Sequence, residues 1–125
     1  SFATGSSWGV WSIMMPIAFP MAVAFDLPMA YIVGSVIAGG MFGDQCSPIS
    51  DTTVLSSTGG SCNHIVHVMT QLPYGLTVGA SAFVGFLFGG LTGQYMLSIA
   101  VTAVVLYVAM FIMTKVDSAR TVKAV

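Results

Sequence analysis

Two aspartates flank a proline in the middle of an otherwise apolar sequence. Asp44 and Asp51 lie seven residues apart, on either side of Pro48, in a run rich in serine and threonine. A continuous helix would place both carboxylates nearly on one face, but proline removes an N–H donor and clashes with the preceding turn. We therefore predict a broken helix, with one half ending near Gly43 and the other beginning near Asp51, capped by Ser50 or Asp51.

A helix break of this kind supplies ligands for small ions. It exposes carbonyl oxygens at one half-helix end and N–H groups at the other, and neighbouring carboxylates and hydroxyls add further oxygens. Oxygen ligands suit a hard cation such as sodium, and a desolvated carboxylate can also take up a proton. The competing interpretation is that Asp44 and Asp51 only cap helix ends at the membrane surface. For Asp26, beside Leu27 and Pro28 at a predicted turn, the surface interpretation is favoured.

The composition indicates a membrane protein. Of the 125 residues, 56% are hydrophobic and 6% are charged, whereas a soluble domain carries about 25% charged residues. No Asp, Glu, Lys or Arg occurs between Asp51 and Lys115, and so long a charge-free run is typical of segments inside a bilayer. The net charge of -1 leaves no basic surface for nucleic acid. Because the chain begins at Ser1 without an initiator methionine, we expect it to be a fragment of a longer protein.

The apolar segments predict an all-α polytopic membrane protein. Residues 7–25 form the first segment, in which Pro16 and Pro20 are expected to kink or break the helix. The remaining chain is predicted to contain a broken helix over 28–63, an interfacial segment over 64–73, and transmembrane helices over 74–91 and 95–114.

Glycines and basic residues add expectations about packing and orientation. Gly85, Gly89 and Gly93 recur every four residues, which predicts a smooth stripe where a neighbouring helix approaches closely. All the basic residues follow the last predicted span, so the positive-inside rule places the C-terminus in the cytoplasm. These residues are Lys115, Arg120 and Lys123.

Two other kinds of site use individual residues of this chain. The sequence Gly-Ser-Ser-Trp-Gly at residues 5–9 matches a hydrolase nucleophile motif, but that motif requires a preceding strand, which is not predicted here. An intramembrane serine hydrolase would instead pair Ser7 with His64 or His67, but nothing in the sequence places a histidine near that serine. A zinc site would combine Cys46 and Cys62 with the same histidines, but their spacing matches no standard zinc pattern. Ion transport is favoured over both.

Three motifs together resemble the NhaC family of sodium/proton antiporters. The first is Ala-Thr-Gly-Ser-Ser-Trp-Gly at residues 3–9, followed by Met-Pro-Ile-Ala at 15–18. The second begins Gly-Asp-Gln-Cys-Ser-Pro-Ile-Ser-Asp-Thr-Thr and covers 43–59, and the third covers 62–68 and 70–74. The motifs occur in the family's order, and the last fifty residues match only as generic spans.

The resemblance implies a fold and an ion site. The family belongs to a superfamily of ion transporters built from two inverted repeats, each with a re-entrant hairpin and a broken helix. This chain would be the C-terminal repeat, with residues 2–25 as the hairpin tip and its second arm, and the other repeat would supply the rest of the site. The implied ion- or substrate-binding residues are Thr4, Ser6, Ser7, Asp44, Ser47, Ser50, Asp51 and Thr52, with Asp44 and Asp51 as sodium ligands.

The predicted function is secondary active transport rather than catalysis. The first hypothesis is an antiporter that exchanges sodium for protons across the cell membrane in a multi-pass protein, with the ions as transported species and no cofactor. The motifs leave open a sodium- or proton-coupled antiporter of small organic anions, such as malate and lactate, or of amino acids. Expected partners are the lipid bilayer, the missing N-terminal repeat of the same protein and, in a homodimer, a second copy, without nucleic acid. The fragment by itself is expected neither to fold well nor to transport.

Overall fold

Five α-helices form the described part of the chain, and the computed structural model contains no strand there. The model describes the backbone of residues 1–123 and the side chains of residues 1–115. The side chains that were used to orient the C-terminus, apart from Lys115, lie outside this range. The helices are α1 (Ser7–Ala24), α2 (Met29–Cys46), α3 (Asp51–Gly59), α4 (His64–Thr92) and α5 (Tyr95–Lys123). The prediction of an all-α fold is confirmed for these residues.

Three segments are long and apolar enough to cross a membrane. They are Ser7–Ala24, His64–Thr92 and Tyr95–Lys115. Most of their large apolar side chains are exposed, including Trp8, Leu91 and Met96. Exposed apolar surface on this scale requires lipid or further protein to cover it. The chain divides into two compact units, Ser1–Leu76 and the residues from Thr77 onward.

In the first unit, α1 packs against α2 through a large side chain opposite a glycine. The indole of Trp11 lies directly over Gly40, where a β-carbon would collide with the ring nitrogen. Ser1 Oγ donates a hydrogen bond of 2.7 Å to the Gly40 carbonyl. Only glycine permits this approach, so the position of α1 on α2 depends on Gly40.

The prolines do not break α1. Pro16 and Pro20 both lie inside the helix Ser7–Ala24, so of the predicted kink or break, the break does not occur in this segment. Each proline lacks an N–H donor, and helices inside membranes tolerate such positions where neighbouring groups re-satisfy the freed carbonyls. The helix ends at Ala24, and Asp26, two residues later, has a positive φ of 53°.

The same kind of helix end occurs after α1 and after α3. Leu27 N donates to Ala22 O and Asp26 N donates to Val23 O, which is the Schellman pattern with Asp26 in the left-handed conformation. After α3, the residue in this conformation is Ser61 (φ 50°). At both helix ends, a residue other than glycine occupies the left-handed position where the chain turns.

The chain contains the predicted break between α2 and α3. Pro48 disfavours a helical conformation for the residue before it, and Ser47 is extended at φ -82° and ψ 129°. Helix α2 continues to Cys46, three residues beyond the predicted end at Gly43, and α3 begins at Asp51. Two helices therefore meet at a short extended link whose residues are buried or half-buried except for Ile49.

A single helix replaces the predicted interfacial segment and the span that follows it. Helix α4 runs from His64 to Thr92 with Pro73 inside it, so the expected boundary at residue 73 is absent. Asn63 starts the helix by accepting hydrogen bonds from Ile65 N and Val66 N at 3.0 and 3.4 Å. This capping pattern explains why the helix begins directly after the loop.

The second unit contains the rest of α4 and helix α5. Thr102 of α5 lies against Gly85, where a β-carbon would collide with its hydroxyl oxygen. Ser98 Oγ donates to the Gly85 carbonyl, and Thr77 Oγ1 contacts the Met113 sulfur at 2.8 Å. Gly85 therefore lies where the two helices approach closely, as the glycine spacing predicted. Gly93, by contrast, lies in the turn after α4 and has a φ of 68°.

Candidate functional site

A buried carboxylate lies at the break between α2 and α3. Asp44, on the last turns of α2, is 6% exposed. Its Oδ1 accepts a hydrogen bond from Ser50 Oγ at 2.9 Å, and its Oδ2 accepts one from Thr52 Oγ1 at 3.1 Å. The two hydroxyl oxygens lie 2.7 Å apart. These three residues form a compact group of four side-chain oxygens, which we call the Asp44 cluster.

The position of Ser50 shows that its hydroxyl serves this cluster rather than the helix. Ser50 is the N-cap residue of α3, but its side chain makes no capping hydrogen bond. Serine at this position ordinarily accepts a bond from an N–H of the first helical turn. Here the fully buried hydroxyl contacts Asp44 instead. The Ser50 side chain therefore contributes an oxygen to the Asp44 cluster and does not cap α3.

No lysine or arginine of the same unit can neutralise Asp44. Residues 1–76 contain no Lys or Arg. An ionised carboxylate out of contact with water is costly unless a charge or several hydrogen bonds compensate it. Two hydroxyl donors compensate it in part, and a bound cation or a proton would compensate it further.

The N-terminal turn packs against the break. Ser47 Oγ, which is fully buried, donates to the Phe2 carbonyl at 2.7 Å. Gly5 has a positive φ of 64°, and a β-carbon there would lie 2.6 Å from the Ile49 carbonyl oxygen. Glycine is therefore required at this position, both because the backbone is left-handed and because a β-carbon would collide with Ile49. The turn and the link after α2 hold each other in place.

None of the described hydrogen bonds joins a hydroxyl of this turn to the Asp44 cluster. Thr4 is exposed, and its Oγ1 bonds to the carbonyls of Ser1 and Ser6. Ser6 is half-buried as the N-cap of α1, and Ser7 is buried in the first turn of that helix. The structure therefore brings Asp44, Ser50 and Thr52 together, with Ser47 bonded to the neighbouring turn, and leaves the hydroxyls of Thr4 directed at local backbone.

The two aspartates have different surroundings. Asp51 is exposed, and its Oδ1 accepts a hydrogen bond from Thr52 N at 2.8 Å. This is a local contact at the start of α3, where a negative charge is stabilised by the helix dipole. The break thus turns Asp44 inward and Asp51 outward.

A polar cleft lies beside the Asp44 cluster. It has a volume of about 420 Å³. Thr52 belongs to both the cleft and the cluster. The cleft is lined by Gln45, Thr52, Thr53, Ser56, His67 and Gln71.

Two histidines connect the start of α4 to α3 and the link. His64 Nε2 lies 2.6 Å from the Pro48 carbonyl oxygen, and its Nδ1 lies 3.1 Å from Ser57 Oγ. Since a carbonyl only accepts, Nε2 carries the proton in that bond. His67 Nε2 lies 2.9 Å from Ser56 Oγ. The Pro48 carbonyl at the break is therefore bonded to a histidine.

The same contacts can be compared with the serine-hydrolase site and the zinc site considered from the sequence. Neither histidine bonds to Ser7 in the described hydrogen bonds, and the serine beside His64, Ser57, is only 2% exposed. Among the residues that the structure describes, no three His, Cys, Asp or Glu side chains gather as a metal site. The proposed zinc ligands are thus not assembled in this part of the chain.

Residue types alone do not reveal the roles of the cleft residues. His64, His67 and Gln71 have the spacing i, i+3 and i+7, which places them on one face of α4. That polar face in an apolar helix was a signal available in the sequence. Thr53 carries no such signal, because its burial depends on how α3 packs.

Comparison with known proteins identifies relatives of this chain. A family model described as the Na+/H+ antiporter family matches residues 1–91. A protein of Haemophilus influenzae without an assigned function is 47% identical over 116 residues, covering 92% of this chain and 22% of the relative. A malate-2H(+)/Na(+)-lactate antiporter of Bacillus subtilis is 33% identical over 95 residues, covering 72% of this chain and 20% of that protein.

A third relative and the solved structures complete the comparison. A protein of Haemophilus influenzae named as a Na(+)/H(+) antiporter is 38% identical over 77 residues, covering 58% of this chain and 16% of the relative. The chain thus spans about a fifth of the length of the curated relatives that it matches. No solved structure matches it. The family model covers most of the chain and all of the helix break, and the chain belongs to the Na+/H+ antiporter family.

Proposed function

We propose that this chain supplies the cation site of a secondary antiporter that exchanges sodium for protons. The observation that carries the proposal is the buried Asp44 carboxylate at a helix break, bonded by Ser50 and Thr52 and without a Lys or Arg in its unit. A carboxylate in these surroundings can hold either a sodium ion or a proton, and alternation between the two couples their movements. Sodium and protons are cargo, and no cofactor takes part.

The proposal includes an architecture for the whole protein. We expect an inverted-repeat transporter in the cell membrane, with several spans, in which residues 2–25 belong to a re-entrant hairpin and a second repeat completes the site. The small share of each relative covered by this chain supports a larger assembly. Thr4, Ser6, Ser7 and Asp51 would join the Asp44 cluster as ligands only if that assembly brings them closer.

A flux measurement on the full-length protein tests the proposal. The protein is reconstituted into liposomes containing a trapped pH dye, and sodium is added without an organic solute. We expect a sodium-driven pH change, and we expect the matched variant Asp44→Asn to lose it while still inserting into the liposomes. Flux in the variant equal to that of the unmodified protein would show that Asp44 is not the exchange site.

A second candidate is exchange of small organic anions or amino acids, coupled to sodium or protons. Its support is the similarity to the malate-2H(+)/Na(+)-lactate antiporter and the presence of a cleft larger than a single ion requires. The same liposomes distinguish the two candidates. No response to sodium alone, followed by a response when malate, lactate or an amino acid is supplied, would favour the second.

A further inference from the structure

Two side chains of α4 donate hydrogen bonds to backbone carbonyls at the helix break. Gln71 Nε2 donates to the Gln45 carbonyl, in the last turn of α2, at 2.9 Å. His64 Nε2 donates to the Pro48 carbonyl, in the link, at 2.6 Å. One helix is therefore bonded both to the end of α2 and to the segment that follows the break.

The two carbonyls are ones that the break deprives of their helical partners. In a continuous helix, Ile49 N and Thr52 N would donate to the carbonyls of Gln45 and Pro48. Here both N–H groups donate to nearby side-chain oxygens instead. A carbonyl without a donor is costly inside a bilayer. The side chains of α4 thus supply donors that the broken helix itself has lost.

A neighbouring residue shows that these bonds are specific to certain positions of α4. Thr70, which precedes Gln71, donates to the carbonyls of Val66 and His67 in its own helix. His64 and Gln71 instead reach another element, and they lie seven residues apart, about 10 Å along the helix axis. A single rigid helix therefore holds the two carbonyls of the break at a set separation.

A close packing contact supports the same placement of α4. Gly75 lies one turn after Gln71 on the same side of the helix. A β-carbon at Gly75 would lie 3.0 Å from the sulfur of Cys46, the last residue of α2. The helix thus approaches the end of α2 closely at the point where Gln71 bonds to it.

Both bonded carbonyls belong to residues that adjoin the Asp44 cluster along the chain. Gln45 directly follows Asp44, and Pro48 precedes Ser50 by two residues. The bond of 2.9 Å from Ser50 Oγ to Asp44 Oδ1 crosses the break. Displacement of one side of the break relative to the other would change this distance. Groups that bind a ligand must be held within about 0.5 Å of their productive positions.

We propose that His64 and Gln71 are positioning residues for the cation site at the helix break. By bonding the two carbonyls from one rigid helix, they hold the Asp44 carboxylate and the hydroxyls of its cluster at the separation at which sodium binds. Neither side chain is itself a ligand in this arrangement. The inference rests on the proposed function and deepens it, because it names residues outside the Asp44 cluster that determine the sodium affinity.

Substitution of His64 in the full-length protein tests this role. His64→Leu removes the donor, and His64→Gln keeps an N–H donor of similar reach. Initial sodium-driven proton flux is measured in liposomes over a range of sodium concentrations at one pH. We expect His64→Leu to raise the half-saturating sodium concentration about fivefold, the effect of one lost hydrogen bond, and His64→Gln to restore it. The maximal rate per inserted protein should stay within about twofold, since the ligands are unchanged.

Gln71→Leu is a second variant, which removes the donor at the more exposed of the two contacts. It should raise the half-saturating sodium concentration about threefold, because part of this bond is replaced by water. Thr70→Val is the matched control on the neighbouring position, and its value should equal that of the unmodified protein. Unchanged values in both leucine variants, an equal increase in Thr70→Val, or a fall in maximal rate alone would overturn the inference.

Amide hydrogen exchange separates this inference from the proposed function. In the full-length protein in detergent, His64→Leu should speed exchange in peptides that cover residues 45–53, relative to Thr70→Val, because the break opens more often. If exchange accelerates but the unmodified protein shows no sodium-driven flux, sodium/proton exchange is wrong and the support of the break by α4 stands. If the unmodified protein shows flux but His64→Leu changes neither exchange nor the half-saturating concentration, the inference is wrong and the exchange function stands.

Discussion

At the scale of single residues, the helix break gives Asp44 and Asp51 different exposure to solvent. Asp44 is buried and receives two hydroxyl hydrogen bonds, whereas Asp51 is exposed and contacts the backbone of its own helix. A charge surrounded by protein is affected strongly by its few neighbours, whereas water screens an exposed one. The two carboxylates are therefore expected to contribute very differently to ion binding.

Neutralising each aspartate separately tests this difference. In the full-length protein, Asp44→Asn should lower sodium-driven proton flux at least tenfold, because it removes the exchangeable charge. Asp51→Asn should stay within about fivefold of the unmodified protein, since a surface charge contributes at most about 1 kcal/mol. The measurement is initial flux in liposomes at matched protein density. Equal losses in both variants would mean that Asp51 joins the site in the assembled protein.

The hydroxyl of Ser50 offers a second test within the same cluster. Ser50→Ala removes a donor to Asp44, and hydrogen bonds to charged groups contribute about 1.5–3 kcal/mol. We expect apparent sodium affinity to fall about tenfold or more in the full-length protein. Thr58→Ala is the matched control on the same helix, because its exposed hydroxyl donates to the Val54 carbonyl rather than to Asp44. A larger loss of affinity in the control would contradict the proposed role of the cluster.

At the scale of helices, the close packing depends on glycine at particular positions. Gly85 faces Thr102 without room for a β-carbon, whereas Gly90 has open space around it. Both lie in α4 and share the same helix propensity, so a comparison between them isolates the contact with α5.

Alanine substitution at the two glycines should therefore have opposite effects. Gly85→Ala should destabilise the full-length protein by about 1–3 kcal/mol, because the added methyl group forces the helices apart. Gly90→Ala should be neutral or stabilising by up to about 1 kcal/mol, because alanine favours the helix. Thermal unfolding in detergent measures both. If Gly85→Ala is as stable as Gly90→Ala, α4 and α5 do not pack through this position.

The left-handed helix end at Ser61 gives another prediction at this scale. Ser61 adopts a φ of 50°, a conformation that costs an ordinary residue about 1–2 kcal/mol and glycine much less. Ser61→Gly should therefore raise stability by about 1 kcal/mol. Ser61→Ala is the control, because it retains the β-carbon and should give no such gain. A stability increase of equal size in both variants would point to a cause other than the backbone conformation.

At the scale of the whole molecule, the chain presents far more apolar surface than it buries. Among residues 1–115, whose side chains the structure describes, the buried apolar core consists of small or medium side chains, namely Ala18, Ala22, Cys46 and Val68. Large apolar side chains cover the outside of the helices, and the chain spans about a fifth of its curated relatives. We expect lipid and additional helices to cover this surface.

Reconstitution of the isolated chain tests its dependence on the rest of the protein. We expect residues 1–125 in liposomes to give no sodium-driven proton flux under conditions in which the full-length protein does, because the proposed second repeat, which would complete the site, is absent. Far-ultraviolet circular dichroism should still show helix, since backbone hydrogen bonds in a bilayer are satisfied within each segment. Flux from the isolated chain comparable to that of the full-length protein would overturn the expectation of a second repeat.

The sequence by itself determined the class of the molecule and the place of its break. Few charges, long apolar runs and Pro48 are local properties, so they indicate membrane helices and an interruption near residues 47–50 wherever the helices pack. The residues of the Asp44 cluster could likewise be selected, because two acids and several hydroxyls in an apolar chain are conspicuous.

Only the tertiary structure decided which groups meet. The turning of Asp44 inward and Asp51 outward depends on the rotation of α3 relative to α2, and the cleft exists only because the His67 face of α4 lies against both. The continuity of α1 and α4 through their prolines could not be predicted either, since it depends on neighbouring groups that satisfy the freed carbonyls. Composition and local sequence fix what a segment is, whereas packing fixes which of its faces are buried.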